Sequence, residues 1–257
     1  MKNSKRHTSP LLADGGIGLV TGGAGGIGSA ICKRLAEAGT SVIITYNNNA
    51  AKATALLYEL KGTNHSIFHA PVNDSAALKK LAAFIEEKYG KLDILVNNAG
   101  ITTPVAHEDL DALTDEWIDK IFTTNFRGAF AMIRACKNLL IKSDDALVVN
   151  ISSVAAVSGI GSNVAYCASK AAMDSMTRSL ARALAPKIRV VSVSPGWVMG
   201  EYAKTVDATF LQKQLDATPL HRFATPEDVA DAVYALATTL KFTTGSIIPV
   251  DGGRLLK

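Results

Sequence analysis

The sequence has few cysteines: Cys32, Cys136 and Cys167 are the three among 257 residues. An odd and sparse set of this kind does not form the disulfide framework of a small secreted protein. The sequence therefore indicates a reducing compartment, and we expect a cytoplasmic protein. Cys167 stands beside Tyr166, but a small residue within a helix usually serves packing rather than reactivity.

Long apolar runs are also missing. No stretch is apolar enough over the length that a bilayer requires, so we expect no membrane partner. The first ten residues, MKNSKRHTSP, are basic, but they lack the apolar segment that follows the basic residues of a secretion signal. We interpret residues 1–13 as a disordered basic tail and residues 14–257 as a single domain.

The excess of positive charge is small. The net charge is +4, and three of these charges belong to Lys2, Lys5 and Arg6, with no acidic residue before Asp14. The rest of the chain is therefore close to neutral. It has no basic stripe to hold a nucleic-acid backbone, so we expect no nucleic-acid partner. No metal site is predicted.

What the sequence does contain is a regular alternation of apolar runs and helical patterns. A chain of this length with 48% hydrophobic residues can bury roughly 75% of the surface that its unfolded form exposes. Continuous apolar strands separated by helices are typical of a parallel sheet that is covered on both faces. The predicted strands lie within residues 17–22, 41–46, 66–70, 92–100, 146–153, 188–196 and 246–253.

Residues 199–223 show the least regular pattern. They form a long connection late in the chain and include the apolar residues Met199, Tyr202, Phe210 and Leu211. Long connections are often lids over a site, and we predict a lid at about 199–223. A surface excursion with its own small helix is the alternative.

The first predicted strand runs into the glycine-rich sequence TGGAGGIG at residues 21–28. Glycines permit a tight turn, and they let backbone N–H groups approach a pyrophosphate at a helix N-terminus. The pattern can be read in two registers, but both require the strand, turn and helix that are predicted here. The loop therefore predicts dinucleotide binding.

The end of the second strand favours NADP(H) over NAD(H). An acidic residue that binds the ribose of NAD is expected there, but residues 40–57 contain neither Asp nor Glu. The strand ends instead in Tyr46, Asn47 and Asn48, and amide groups can donate hydrogen bonds to a 2′-phosphate. No arginine stands in this stretch and Lys52 is the nearest cation, so NAD(H) stays an alternative.

Polar residues follow several predicted strands at the point where each strand ends. Asn98, Ser153 and Pro195 stand at the ends of the fourth, fifth and sixth strands. Ligands of open parallel sheets bind outside the carboxyl ends of the strands. These residues and the glycine loop are therefore predicted to meet at one ligand site.

Taken together, the motifs resemble those of the short-chain dehydrogenase/reductase family over residues 21–253. They are the glycine loop, NNAG at residues 97–100, Asn125, a Ser153-x12-Tyr166-x3-Lys170 spacing, PG at residues 195–196 and a terminal VDGG. Among members of the family, the sequence resembles the NADP(H)-dependent ketoreductases and 3-oxoacyl-acyl-carrier-protein reductases. The resemblance implies a Rossmann-type, doubly wound, parallel seven-stranded sheet with helices on both faces. It also implies a nicotinamide cofactor and a homotetramer, with a homodimer as the alternative.

The resemblance assigns the catalytic roles to Asn125, Ser153, Tyr166 and Lys170. Together with the glycine loop and the strand ends, it implies a cofactor site made of Gly22, Gly25, Gly26, Ile27, Gly28, Tyr46, Asn47, Asn48, Val72, Asn73, Asn98, Ala99, Gly100, Tyr166, Lys170, Pro195, Gly196 and Val198.

Elementary chemistry supports these roles. Reduction of a carbonyl needs a hydride at carbon and a proton at oxygen, and a nicotinamide carries the hydride. A tyrosine with a pKa of about 10 is a weak acid at neutral pH. An ammonium about 4 Å away would contribute roughly 4 kcal/mol at an effective dielectric of about 20, so we expect Lys170 to lower the pKa of Tyr166. Ser153 would bond the carbonyl oxygen, and Asn125 would connect Lys170 to solvent through a water.

Two positions depart from the family pattern. Pro71 stands where many members carry an Asp near the adenine, so the contacts of Val72 and Asn73 become more important. Gly200 stands four residues after the glycine of PG, where many members place a Thr that holds the nicotinamide end. We therefore expect the nicotinamide end to be held by the backbone of Pro195 and Val198 alone, with a looser or more mobile lid.

The expected function is hydride transfer between NADP(H) and a carbonyl or secondary-alcohol substrate, with Tyr166 as general acid and base. A 3-oxoacyl-acyl-carrier-protein reductase is one specific alternative, although Asp144 and Asp145 argue against an acidic carrier. A sugar, polyol or steroid dehydrogenase is another. A silent cofactor-binding sensor or scaffold is the alternative without catalysis, but such a protein should have lost Tyr166 or Lys170.

Overall fold

The computed structural model of the protein describes residues 15–200 and 207–256, with the backbone alone at Phe210. Within them, apolar and β-branched runs form seven strands, and all neighbouring strands are parallel. The strands are β1 (Ile17–Val20), β2 (Ser41–Tyr46), β3 (Ser66–His69), β4 (Ile94–Asn97), β5 (Ala146–Ile151), β6 (Ile188–Pro195) and β7 (Ile247–Val250). Their order in the sheet is β3-β2-β1-β4-β5-β6-β7, which confirms the predicted doubly wound, Rossmann-type sheet.

Helices connect the strands and cover both faces of the sheet. They are α1 (Gly26–Glu37), α2 (Ala50–Glu59), α3 (Ser75–Tyr89), α4 (Asp115–Phe122), α5 (Ala129–Ile141), α6 (Ala155–Ser158), α7 (Val164–Leu184), α8 (Ala208–Asp216) and α9 (Pro226–Thr238). The helical region that the sequence predicts over residues 117–142 is not continuous. A π-helical segment, Thr123–Gly128, separates α4 from α5 and contains Asn125.

The two faces of the sheet carry two separate hydrophobic cores. Successive residues of a strand point to opposite faces, so neighbours such as Leu95 and Val96 enter different cores. One core joins the strands to Ile31 of α1 and Val233 of α9. The other joins them to α3, α5 and α7, for example through Met173. This is why the strands are apolar throughout instead of alternating between apolar and polar residues.

Local signals determine where several helices begin. Thr225 and Asp228 form a reciprocal capping box at the start of α9, with Pro226 in the first turn. Asp74 caps α3 by accepting hydrogen bonds from Ala76 N and Ala77 N. Such caps set the direction in which each helix returns across the sheet.

The direction of winding reverses between β1 and β4, which are neighbours in the sheet although two strands lie between them in the chain. The connections after these two strands leave toward opposite faces and open a crevice at their carboxyl ends. Open α/β sheets bind their ligands at such a point.

The irregular region at residues 199–223 contains a short helix, α8, followed by turns. Residues 201–206, including Tyr202, and the predicted tail at residues 1–13 lie outside the described residues. The lid remains a prediction. None of the helices in the described ranges combines the length and the apolar character that a membrane span requires.

Candidate active site

The glycine loop lies between β1 and α1, as its sequence predicts. Gly22 has a positive φ of 59°, and Gly25 precedes the first turn of α1 without any side chain capping that helix. A Cβ built at Gly26 would meet no atom within 4 Å, so this part of the loop faces open space. An uncapped helix N-terminus beside open space is suited to bind an anion.

At Gly28, in contrast, there is no room for a side chain, because the backbone of this residue packs against the rest of the loop. A Cβ at Gly28 would lie 2.6 Å from the carbonyl oxygen of Gly22 and 2.7 Å from Asn98 Nδ2. Asn98 in turn donates hydrogen bonds to the carbonyl oxygens of Thr21 and Gly22, at 3.0 and 3.2 Å. The predicted cofactor residue Asn98 therefore acts as a brace that joins the end of β4 to the glycine loop.

The adenosine end of the predicted site is a cleft of about 360 Å³ beside the loop. Its lining includes the predicted residues Gly22, Gly25, Tyr46, Asn47, Val72, Asn73, Asn98, Ala99 and Gly100, and it adds Lys120 of α4. An adjoining hollow of about 270 Å³ is lined by Gly22, Ala24, Gly25, Thr45, Tyr46, Asn47, Asn48, Asn49 and Lys52. Neither lining contains an acidic residue.

A central cleft of about 540 Å³ continues from the glycine loop to the catalytic residues. Among the predicted residues, it is lined by Gly25, Gly26, Ile27, Gly28, Asn98, Gly100, Ser153, Tyr166, Lys170, Pro195, Gly196 and Val198. Gly196 is needed here because a Cβ would approach Asp251 Cα to 3.0 Å. The structure thus brings the glycine loop and the ends of β4, β5 and β6 to one cleft.

Tyr166 lies near the start of α7 and lines the central cleft together with Ser153, which follows β5. Burial raises the pKa of the Tyr166 hydroxyl above its usual value, and the nearby Ser153 hydroxyl acts in the opposite direction. This increase is the opposite of the expectation from the sequence, in which Lys170 lowers the pKa of Tyr166. Desolvation of the phenolate is the largest cause of the change, and the charge of Lys170 is not among its causes.

Lys170 is 4% exposed, and its Nζ donates a hydrogen bond of 2.8 Å to the carbonyl oxygen of Ile151. The Nζ lies 5.7 Å from the centroid of the Tyr166 ring. Burial lowers the pKa of the Lys170 ammonium to about 8, although the charge of the buried Asp174 one turn later opposes this change. Lys170 therefore changes its charge in a range near neutral pH.

Asn125 is the predicted site residue that lines none of the cavities of the site. It is fully buried, with its Oδ1 accepting a hydrogen bond from Ile101 N at 2.8 Å. Its Nδ2 donates to the carbonyl oxygen of Ile101 and to Ser169 Oγ. Asn125 fastens the loop after β4 to α7. The predicted connection to Lys170 through a water stays a prediction, although Asn125 Oδ1 and Lys170 Nζ both lie beside Gly100.

The position of α7 depends on polar residues that the motifs did not include. Asn163 caps the helix by accepting a 2.7 Å hydrogen bond from Tyr166 N, and it donates to the carbonyl oxygen of Thr103. An Asn three residues before Tyr166 is an N-cap signal that the sequence offered. Deeper in the fold, Asn150 of β5 donates to Thr177 of α7 at 2.8 Å.

A fourth cavity, which we call the outer pocket, opens on the far side of Ser153 and Tyr166. It has a volume of about 270 Å³ and shares Thr102, Ser153, Tyr166, Gly196 and Val198 with the central cleft. Its remaining lining residues are Val154, Ala155, Ile160, Gly161, Ser162, Trp197, Gln214 and Arg254. Gln214 and Arg254 stand outside every motif of the sequence, and no local signal pointed to them.

The residues present fit a nicotinamide dinucleotide. Three connected cavities, from the adenosine end to the outer pocket, carry Lys120, Lys170 and Arg254 and no acidic residue in their linings. The open space at Gly26 and the uncapped start of α1 suit a pyrophosphate. In the described ranges, no group of three or more His, Cys, Asp or Glu side chains is placed to hold a metal ion.

Comparison with known proteins agrees with this geometry. A family model described as Enoyl-(Acyl carrier protein) reductase matches residues 22–254. The chain is 34% identical over 239 residues to a 3-oxoacyl-acyl-carrier-protein reductase of Staphylococcus aureus, covering 91% of this chain and 96% of the relative. It is 37% identical over 240 residues to an L-xylulose reductase of Caenorhabditis elegans, and the match covers 91% of this chain and 94% of that relative.

Solved structures give the same result. The crystal structure of a short-chain dehydrogenase/reductase of Brucella melitensis, titled glucose/ribitol dehydrogenase, superposes with a TM-score of 0.87 at 29% identity. The superposition covers 95% of this chain and 98% of that chain.

The glycine loop generates a prediction about stability. Gly28→Ala should lower the free energy of unfolding by about 1–3 kcal/mol, because its Cβ would press on the carbonyl oxygen of Gly22 and on Asn98. Gly26→Ala is the matched control, since its Cβ meets open space, and it should be as stable as the wild type or more so. Urea unfolding followed by circular dichroism measures both. Equal losses for the two variants would contradict the packing described here.

Proposed function

The chain belongs to the short-chain dehydrogenase/reductase family, whose members are oxidoreductases of carbonyl and alcohol groups, and from this premise we propose that it is an NADP(H)-dependent carbonyl reductase. The observation that carries the proposal is the position of Tyr166 and Ser153, which both line the junction of the central cleft and the outer pocket. A carbonyl oxygen placed there meets two hydroxyl groups, and a reacting carbon beside it faces the cleft.

A bound nicotinamide cofactor supplies the hydride in reduction and accepts it in oxidation. Ser153 donates a hydrogen bond to the substrate oxygen as negative charge develops on it. Tyr166 donates its hydroxyl proton to that oxygen, which becomes the alcohol. The tyrosinate that remains is then reprotonated from solvent, and the Lys170 ammonium stabilises its charge in the meantime.

The raised pKa of Tyr166 suits this direction of reaction. A phenol whose pKa is raised by burial stays protonated at neutral pH, and the protonated form is the one that reduction needs. The lowered pKa of Lys170, about 8, leaves the ammonium form predominant below that pH. Both groups are therefore in the state required for reduction at neutral pH.

Tyr166→Phe should lower kcat by at least about 100-fold, because general acid catalysis of this kind contributes about that much or more. NADPH oxidation is measured at 340 nm on a panel of ketones, 3-oxoacyl thioesters, sugars and steroids. The best substrate of the panel also separates the alternative substrate classes. Tyr89→Phe is the matched control, since Tyr89 lies at the opposite edge of the sheet beside Ser66, and it should keep its activity.

Cofactor binding separates a catalytic role of Tyr166 from a structural one. The Tyr166→Phe variant should bind NADPH with an affinity within about threefold of the wild type, as measured by fluorescence titration. If the variant keeps more than a few per cent of the turnover, Tyr166 is not the proton donor. A wild type that binds NADPH tightly but reduces nothing on the panel would favour the silent sensor.

The preference for NADP(H) is supported by the hollow at the end of β2. Asn47 and Asn48 line it together with Lys52, and its lining contains no carboxylate that would repel a 2′-phosphate. Asn49 is occupied differently, since its side chain accepts a hydrogen bond from Lys52 N and caps α2. Asn47, Asn48 and Lys52 are therefore the side chains of this hollow that are available to bind a 2′-phosphate.

Asn47→Asp should reverse the preference, because a carboxylate in this hollow repels a 2′-phosphate and accepts hydrogen bonds from a ribose. We expect the ratio of NADPH to NADH affinity to fall by about 10-fold or more. Fluorescence titration with each cofactor measures it. Asn64→Asp makes the same charge change before β3, at the amino edge of the sheet, and should leave the ratio unchanged. An equal response of the two variants would rule out the phosphate site.

The relatives and one observation bear on the substrate. A 3-oxoacyl group on an acidic carrier protein is the named substrate of one relative, and the sequence argument against it rested on Asp144 and Asp145. Asp145 is paired with Arg189 and Lys241 and directly precedes β5, at the edge of the sheet opposite the cleft. The two acids therefore do not count against an acidic carrier at the mouth of the site.

We further propose that the protein is a homotetramer located in the cytoplasm. Phe242 and Leu256 are large apolar side chains that are more than four-fifths exposed in the single chain, which favours contact with other copies. The cysteines Cys32, Cys136 and Cys167 are free, as a reducing compartment favours.

Phe242→Asp should reduce the size of the assembly, because a charge placed in an apolar interface is costly to bury. Sedimentation velocity measures the change. Ala83→Asp, at an exposed site on α3 without a large apolar side chain, is the control and should keep the size of the wild type. A wild type that sediments as a monomer would disprove the assembly.

A further inference from the structure

The outer pocket contains one charged side chain among its described lining residues, and that side chain is Arg254. Arg254 follows β7 and the terminal glycines, and it reaches the pocket that also holds Ser153 and Tyr166. The rest of the lining is apolar or uncharged. A single cation opposite the catalytic hydroxyls is a feature that neither the motifs nor the relatives' names explain.

The hydrogen bonds of Arg254 leave its charge uncompensated. One terminal nitrogen of its guanidinium donates to the carbonyl oxygen of Gln214 at 3.1 Å, and the other donates to Gln214 Oε1. Among the described residues, no carboxylate pairs with it. In Arg34 and Arg222, by contrast, the guanidinium is held by an aspartate.

A partly buried guanidinium without a carboxylate is unusual, because removing a charge from water is costly unless an opposite charge compensates it. The guanidinium has five N–H donors in a planar fork, and Gln214 does not use all of them. This fork matches the oxygen atoms of a carboxylate or a phosphate. The missing partner is therefore a small anion, and the pocket has room for one.

We propose that Arg254 is a specificity-determining residue that binds an anionic group of the substrate, a carboxylate or a phosphate, while Ser153 and Tyr166 hold the carbonyl oxygen. The inference rests on the proposed carbonyl reductase activity and adds the class of substrate. The volume of about 270 Å³ lies at the small end of ligand pockets, so the substrate is a compact oxo acid or oxo phosphate.

A purely structural role for Arg254 would be to tie the end of the chain to α8 through Gln214. That tie needs hydrogen bonds, whereas recognition of an anion needs an uncompensated positive charge. Gln214→Glu separates the two roles. It keeps an oxygen acceptor for Arg254, and therefore the tie, but it places a carboxylate beside the guanidinium and so removes the attraction for an anionic substrate.

The experiment compares each acid with a neutral counterpart of nearly the same shape. The probes are acetoacetate against methyl acetoacetate and dihydroxyacetone phosphate against dihydroxyacetone, with NADPH as the reductant. The quantity measured is the ratio of kcat/KM for the anion to kcat/KM for the neutral partner. Whichever pair shows the higher ratio identifies carboxylate or phosphate as the group that is bound.

In Arg254→Met and in Gln214→Glu this ratio should fall by about 10–100-fold, as expected for the loss of charge-assisted hydrogen bonds. Arg254→Lys should recover part of the loss, because it restores the charge without the fork. Arg34→Met is the control. Arg34 of α1 is paired with Asp231 of α9, away from the outer pocket, so the loss of this guanidinium should leave the ratio at the wild-type value.

A binding measurement keeps failure of the inference distinct from failure of the proposed function. Calorimetry with acetoacetate and with dihydroxyacetone phosphate is performed on the Tyr166→Phe protein, which stops turnover, with and without Arg254→Met. Weaker anion binding in the double variant supports the inference even if the wild type reduces no probe. If the anions do not bind, or if Arg254→Met changes neither their affinity nor the ratio, the inference is wrong, and reduction of the neutral probes would still support a carbonyl reductase.

Discussion

The close contact between Gly28 and the carbonyl oxygen of Gly22 is the constraint on which the site depends. It lets α1 begin directly against β1, and Asn98 joins this turn to β4, the strand at which the winding of the sheet reverses. Because one turn and one strand end are held together, the crevice between them has a defined width. The remaining site residues are arranged along that crevice.

The predicted catalytic side chains are positioned by a second layer of polar contacts. Asn125 fastens the loop after β4 to α7, and Asn163 fixes the first turn of the same helix. A chain of 2.8 Å hydrogen bonds connects Asn97, Asn150 and Thr177, linking β4 and β5 to α7 within the core. Hydrogen bonds between buried side chains are directional, so they fix the position of the helix relative to the strands.

Much of this could be predicted because the signals are local. The periodicity of the apolar residues predicts the strands and helices, and the spacing of Ser153, Tyr166 and Lys170 predicts the catalytic group. That the pKa of Tyr166 is raised and not lowered could not be predicted from such local signals. It depends on the desolvation of the phenol in the folded protein, which follows from tertiary packing.

The sequence by itself determined the parallel α/β sheet and the glycine loop, since each follows from neighbours in the chain, and its motifs predict the catalytic residues through the family that they resemble. The tertiary structure alone decided what lies opposite them. It moved Asp144 and Asp145 to the far edge of the sheet and brought Arg254 and Gln214 into the outer pocket. Residues from distant parts of the chain meet there because helices and strands return across the sheet, and no local pattern records that meeting.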